Sequence, residues 1–393
     1  MTHRRRHASS ALLFLLLVLA SWSTATAQSG VFTSKAKQAV LMDAASGAIL
    51  FQLNADQLVP PASMSKLMTL AVVFRELKAG RIKGSDQFLV SVNAWRRGGA
   101  PSGTSAMMVP VGTRESLDDL LQGIIVQSGN DAAIAVAEGI AGNEAAFAKM
   151  MTEEARRIGL TRSTFQNATG LDHPEHLMTV RELAVLARHI IHEYPSFYPL
   201  FSQKEFRYRR HRFINRNPLL FLDPTVDGLK TGFVKASGYG MVVSARRDGR
   251  RLIAVINGCE SDAERREEAR RLLDWGFANY AHFKIFDAGE EVGWARVWGG
   301  DRFYLRLTGD GDVTIVMPKV AAASGQRLKG EIIYASPLKP PIKKGQHVAT
   351  LRVISTVGAV SEVPLYAGED IEPGGLVRRG LDSLAHLAFG WMR

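Results

Sequence analysis

The sequence predicts a mixed α/β (α+β) fold in two parts, helices with antiparallel strands up to about His282 and a small all-β sandwich after it. Three observations carry that reading. Leu117, Leu120, Leu121, Ile124 and Ile125 recur at helical spacing. The apolar runs 241–245 and 252–256 flank Asp248-Gly249, a dipeptide that favours the two-residue turn of a hairpin. Beyond 282 the helical period gives way to short strand-like runs at 303–307, 313–316, 331–335 and 348–354, separated by Gly, Pro and Lys clusters.

Taken in order, residues 1–27 read as a cleaved secretory leader. Arg4, Arg5 and Arg6 precede an apolar run, 11–20, that is too short to span a bilayer, and Ala25-Thr26-Ala27 supplies small residues before Gln28. No cysteine lies near that junction, so nothing points to a lipoprotein. The first folded domain then runs from 28 to 282, and the all-β domain from 283 to 375. Within the first, Ser116 and Asp119 resemble a capping box that starts a helix ending near Gln127, and a second helical run covers 131–140. Residues 376–393 read as a terminal amphipathic helix: at helical spacing Leu381, Leu384, Leu387, Ala388, Trp391 and Met392 fall on one side, and Arg379, Asp382, Ser383, His386 and Arg393 on the other.

Composition bounds the function. With 46% hydrophobic and 22% charged residues the chain is a folded globular protein and not a disordered one. The formal net charge is +11, and the leader contributes its three arginines with no Asp or Glu. The remaining excess is scattered, which suits an anionic membrane or cell wall; nucleic acid is not a partner expected of an exported chain. The single cysteine, Cys259, follows the apolar run 252–256 and reads as a buried inert thiol.

Chemistry enters at PPASMSKLMT, which begins at Pro60. Residues three apart on a helix share a face, so Lys66 can reach the hydroxyl of Ser63, and the two prolines suit a first turn. The same pattern also starts ordinary surface helices. A serine becomes a nucleophile only when a base takes its proton, and a lysine serves as that base only when burial or a neighbouring cation keeps it neutral. A second basic group occurs in VDGLKTGFVKASGYG, where Lys230-Thr231-Gly232 ends an apolar approach beside the predicted hairpin. Between the two, Ser128-Gly129-Asn130 lies in a loop between helices, where it can present a hydroxyl and an amide to a cleft. Each triplet alone is commonplace, but S-x-x-K, S-G-N and K-T-G in this order are highly specific.

In that order they resemble the serine DD-peptidases and β-lactamases of the penicillin-binding fold, and most of all the low-molecular-mass penicillin-binding proteins with D-alanyl-D-alanine carboxypeptidase activity. The likeness extends through PASMSK, QSGNDAAIAVAE, the stretch 165–171, Asn215-Arg216-Asn217, VDGLKTG, 272–277 and 342–346. The resemblance implies a β-lactamase/transpeptidase-like catalytic domain, and a reaction on the penultimate D-alanine of peptidoglycan stem peptides. Ser63 would attack with Lys66 as base, Lys230 would help keep Lys66 neutral, and Ser128 would relay a proton to the leaving D-alanine. Asn130 would hold the substrate amide and Lys66 in register. The N–H groups of Ser63 and Phe233, just after Gly232, would bind the oxyanion, while Thr231 and Arg265 would bind the terminal carboxylate. Arg266 stands beside Arg265 and could fill the same role.

The resemblance also implies acylation of Ser63 by β-lactam antibiotics, no cofactor and no metal. It makes the terminal helix an anchor on the outer face of the cytoplasmic membrane, with Trp391 at the interface and Arg378, Arg379 and Arg393 near anionic headgroups. The bland alternative for that helix is packing on the β domain. One departure concerns specificity: related enzymes often carry His-Thr after Lys-Thr-Gly, and this chain has Phe233-Val234. A DD-endopeptidase, a β-lactamase and a non-catalytic wall-binding scaffold are the competing functions. Asp172-His173-Pro174-Glu175-His176 offers metal-ligand residue types, but its spacing across a proline reads as a surface loop and not a helical zinc site. Nothing in the sequence speaks to oligomeric state.

Overall fold

The computed structural model describes residues 32–323, 328–354 and 360–375. The expected leader (1–27) and the expected terminal helix (376–393) lie outside the described residues. No helix among those described is long and apolar enough to cross a membrane.

The central sheet is built from β1 (Gln38–Asp43), β2 (Ile49–Leu53), β3 (Val226–Val234), β4 (Gly238–Arg247) and β5 (Arg250–Cys259). It is antiparallel, in the order β2-β1-β5-β4-β3. The turn between β4 and β5 is the expected one, with Arg247 paired to Arg250 and with Asp248 and Gly249 at φ +49° and +78°. Positive φ at both central positions is what a type I′ turn requires.

Both faces of the sheet are covered, which explains why β1 is buried along its whole length. Side chains alternate between the faces of a strand. Val40 and Met42 join the core shared with the helices α1 (Lys66–Lys78), α2 (Leu117–Gln122), α3 (Asn130–Ala141), α4 (Glu144–Arg157) and α5 (Val180–Glu193). Ala39 and Leu41 join the opposite core, against Leu272, Leu273 and Phe277 of α6 (Asp262–Asn279). The five periodic apolar residues of 117–125 are all buried, and Ser116 caps α2, accepting from the Asp119 N–H at 3.2 Å. Gly276 is the close-approach residue of α6: a Cβ there would lie 2.4 Å from Leu41 Cδ2.

A second β structure follows. Its strands are β6 (Tyr280–Phe286), β7 (Gly293–Arg296), β8 (Tyr304–Thr308), β9 (Val313–Pro318), β10 (Lys329–Ile333), β11 (His347–Ile354) and β12 (Val360–Ala367). A sheet in the order β7-β8-β12-β11-β10 and the β6–β9 ribbon share one core, in which Leu305, Leu351 and Leu365 meet Val313 and Ile315. This is the two-sheet arrangement the sequence predicts. Strand β6 straddles position 282, and His282 Nε2 lies 2.7 Å from the buried carboxylate of Asp43.

Candidate active site

Ser63 lies in a single 3-10 turn, Ala62–Ser65, that runs straight into α1, so Lys66 opens the longer helix. Two glycines let other segments press against that turn. A Cβ on Gly170 (φ +78°) would come within 1.9 Å of the Ala62 carbonyl oxygen, and one on Gly232 would come 3.0 Å from that of Pro61. The glycine of K-T-G thus brings β3 against the serine turn.

Lys66 is fully buried. Its Nζ lies 2.9 Å from Ser63 Oγ, 2.6 Å from Asn130 Oδ1 and 2.6 Å from the carbonyl oxygen of Thr169. Two of these partners, an amide oxygen and a carbonyl oxygen, only accept. A neutral amine has two N–H bonds and one lone pair, so donating to both leaves the lone pair facing the Ser63 hydroxyl. Burial, first, and the charge of Arg216 push the Lys66 ammonium down from 10.5 to about 7, while Asp131 and Glu144 oppose the shift. At 1.36 kcal/mol per unit, that disfavours the charged form by about 5 kcal/mol. Near neutral pH a large fraction of Lys66 is therefore the free base.

The partners of Lys66 are themselves held. Asn130 Nδ2 donates to Thr104 Oγ1 at 2.8 Å, which turns its oxygen toward Lys66. The buried Asp131 carboxylate accepts from the N–H groups of Met107, Val109 and Ala132 and so ties the 105–109 segment to the start of α3. Asn167 Oδ1 accepts from the Thr169 N–H, the Thr169 hydroxyl and the Gly170 N–H, which fixes the loop that presents the Thr169 carbonyl.

Ser128 adopts a left-handed backbone (φ +63°), and its buried Oγ has no hydrogen-bond partner among the described residues. Lys230 is buried on β3 and donates to the Thr231 carbonyl at 3.2 Å. Burial, then the charges of Lys66, Arg216 and Arg265, hold its ammonium well below the usual lysine range. Arg216 thus disfavours the charge of both lysines, and Lys66 that of Lys230. Arg216 belongs to a stretch that carried the resemblance, but the sequence reading gives it no role. Its position at the cleft depends on contacts across the fold, and no short pattern signals it.

A cleft of about 420 Å³ is lined by Ser63, Ser128, Arg216, Thr231, Gly232 and Phe233, with Ser105, Tyr239, Asp262 and Arg265 also on its wall. Phe233 is exposed and packs on Tyr239 with ring centroids 4.2 Å apart. Arg265 is buried; Arg266 is not among the lining residues.

The other candidates lie elsewhere. In the 172–176 stretch, His173 Nδ1 accepts from the Glu175 N–H, and the buried His176 accepts from the Gln166 N–H while its ring meets Phe165 edge-on. Burial, with the charges of His173 and Lys66, pushes His176 down to about 4, so it is neutral. Cys259 is buried, and its thiol is pushed up to about 12 by burial and by Glu264 and Glu268.

Comparison with known proteins places this geometry. Residues 23–261 match the family model for D-alanyl-D-alanine carboxypeptidase, and residues 280–373 match that for the C-terminal domain of penicillin-binding protein 5. The chain belongs to the D-alanyl-D-alanine carboxypeptidase family. It is 36% identical over 378 residues to D-alanyl-D-alanine carboxypeptidase DacC of Escherichia coli (strain K12), covering 95% of this chain and 93% of that one. The crystal structure of penicillin binding protein 5 from Haemophilus influenzae superposes with a TM-score of 0.74 at 35% identity, over 87% of this chain and 100% of the other. Penicillin-Binding Protein D2 from Listeria monocytogenes, solved in a cefotaxime-bound form, gives 0.57 at 27% identity over 63% of this chain and 99% of its own. The family and fold expected from the three triplets are thus borne out.

Removing a cation beside Lys66 favours its ammonium form, which raises its pKa and delays its activation as a base to higher pH. In Arg216→Gln, the rising limb of the pH profile for acylation by a fluorescent penicillin is expected to move to higher pH, with the rate at pH 6 falling several-fold. An unmoved limb would show that Arg216 does not act on Lys66.

Proposed function

We propose that this chain is a serine D-alanyl-D-alanine carboxypeptidase that removes the terminal D-Ala from peptidoglycan stem pentapeptides through an acyl-serine intermediate. The observation that carries the reading is the buried Lys66 amine 2.9 Å from Ser63 Oγ, with its two other contacts made to acceptors.

Lys66 takes the Ser63 proton as Oγ attacks the carbonyl of the penultimate D-alanine. The N–H groups of Ser63 and Phe233 stabilise the oxyanion, a kind of contact worth roughly 10²–10³ in rate per donor. Ser128 passes the proton to the leaving nitrogen, so the C–N bond breaks and free D-alanine departs. Asn130 keeps Lys66 and the substrate amide aligned, and Lys230, Thr231 and Arg265 hold the terminal carboxylate. Water then cleaves the ester and restores Ser63. A penicillin enters by the same attack on its lactam carbonyl, and its acyl group remains on Ser63.

The reading extends to location. Residues 1–27 act as an export leader, 28–282 as the catalytic domain, 283–375 as a β spacer, and 376–393 as an amphipathic anchor on the outer face of the cytoplasmic membrane. What supports the anchor is its one-sided apolar stripe with arginines alongside.

Wild type is expected to release D-alanine from a pentapeptide ending in D-Ala-D-Ala and to be labelled covalently by a fluorescent penicillin, with both lost in Ser63→Ala. Labelling without release would overturn the carboxypeptidase reading while leaving the nucleophile in place. A chain ending at residue 375 is expected to keep peptide turnover and lose binding to vesicles containing anionic lipid. Unchanged vesicle binding would rule out the anchor.

A further inference from the structure

The guanidinium assigned to the substrate carboxylate is already engaged. Asp262 and Arg265, three residues apart, share a face of the first turns of α6, and Arg265 Nη2 donates to Asp262 Oδ1. Arg265 Nη1 donates to the carbonyl oxygens of Gly232 at 3.2 Å and Gly240 at 3.3 Å, and the guanidinium lies over the Tyr239 ring, 5.6 Å from its centroid. Arg265 Nε is buried with no hydrogen-bond partner among the described residues. The two side chains differ sharply in exposure, 7% for Arg265 and 54% for Asp262. Both line the cleft that holds Ser63 and Thr231.

A carboxylate binds a guanidinium best through two parallel N–H bonds. The strand carbonyls use Nη1, so the edge left for a ligand is Nε with Nη2. Asp262 holds one end of that edge. We propose that Asp262 is a specificity-determining residue, a displaceable internal carboxylate that occupies Arg265 in the free enzyme and competes with the carboxylate of the incoming peptide. This rests on the reading of the site as a D-Ala-D-Ala carboxypeptidase.

Electrostatics make the competition reversible. A buried guanidinium without a counter-charge is costly, so Asp262 stabilises the empty site. A second carboxylate at the same cation meets like-charge repulsion, which is relieved when the half-exposed Asp262 swings into solvent. Orientation of Arg265 does not require Asp262, because the two carbonyls of β3 and β4 and the Tyr239 ring already hold it. The consequence is weaker recognition of a charged peptide end than Arg265 alone would give, with no effect on a neutral end.

Binding without turnover tests this. In the Ser63→Ala background, calorimetry would compare Asp262 with Asp262→Asn for diacetyl-L-Lys-D-Ala-D-Ala and for its C-terminal amide. Asp262→Asn is expected to tighten the carboxylate peptide about fivefold, the scale of one partly exposed charge pair, and to leave the amide unchanged. Unchanged or weaker binding of the carboxylate peptide, or an equal shift for both peptides, would overturn the proposal. Asp262→Ala and melting curves accompany it, and a fold damaged by Asn alone would separate from the charge effect there. D-alanine release by the wild type is read in parallel; its absence would defeat the carboxypeptidase reading without touching the comparison of affinities.

Discussion

A buried lysine held against two acceptors is the constraint on which the site depends. Asn130 Oδ1 and the Thr169 carbonyl satisfy the two N–H bonds of a neutral Lys66 and leave its lone pair for Ser63. An ammonium in the same place would donate to Ser63 and could not take its proton. Burial and the charge of Arg216 act on that choice together, because a neighbouring cation raises the cost of a second charge in a buried place.

Much of the fold serves to hold those acceptors within 2.6 Å. The 3-10 turn of Ser63 is squeezed between β3 and the 167–171 loop, and the glycines at 170 and 232 are where the backbones come too close for a side chain. Asn167 and Asp131 do not touch Lys66, yet they order the segments that supply its partners. The sheet is covered on both faces, so the strand bearing Lys230, Thr231 and Phe233 has a rigid base. Phe233, packed at a tilt on Tyr239, gives the rim an aromatic wall where related enzymes often carry histidine.

How much of this was legible in the sequence divides along contact range. Local patterns read well: the Asp248-Gly249 turn, the Ser116 cap and the apolar period of 117–125 rest on interactions within a few residues, and four of the strands beyond 282 show as local apolar runs, whereas β6, β7 and β12 take their place through long-range pairing, as in Leu307 with Ala367. The triplets were legible because their order is specific, although nothing local joins Ser63 to Asn130 or Lys230. What stayed hidden was set by tertiary approach. Arg216 at the cleft wall, the Thr169 carbonyl against Lys66 and the Thr104 hydroxyl that turns the Asn130 amide involve backbone groups or side chains with no signature of their own. The choice between Arg265 and Arg266 illustrates the same point, since only the direction of the α6 face brings one of them to the cleft.

The most direct test of the account is the protonation state of Lys66 itself, read from the ε-nitrogen signal of isotopically labelled lysine during a pH titration and assigned with Lys66→Arg. The expected result is a resonance that titrates near pH 7 and shifts upward in pH when Arg216 is replaced. A Lys66 that stays charged to above about pH 9, close to a free lysine, would contradict it, because a charged amine in that cage has no lone pair to offer Ser63.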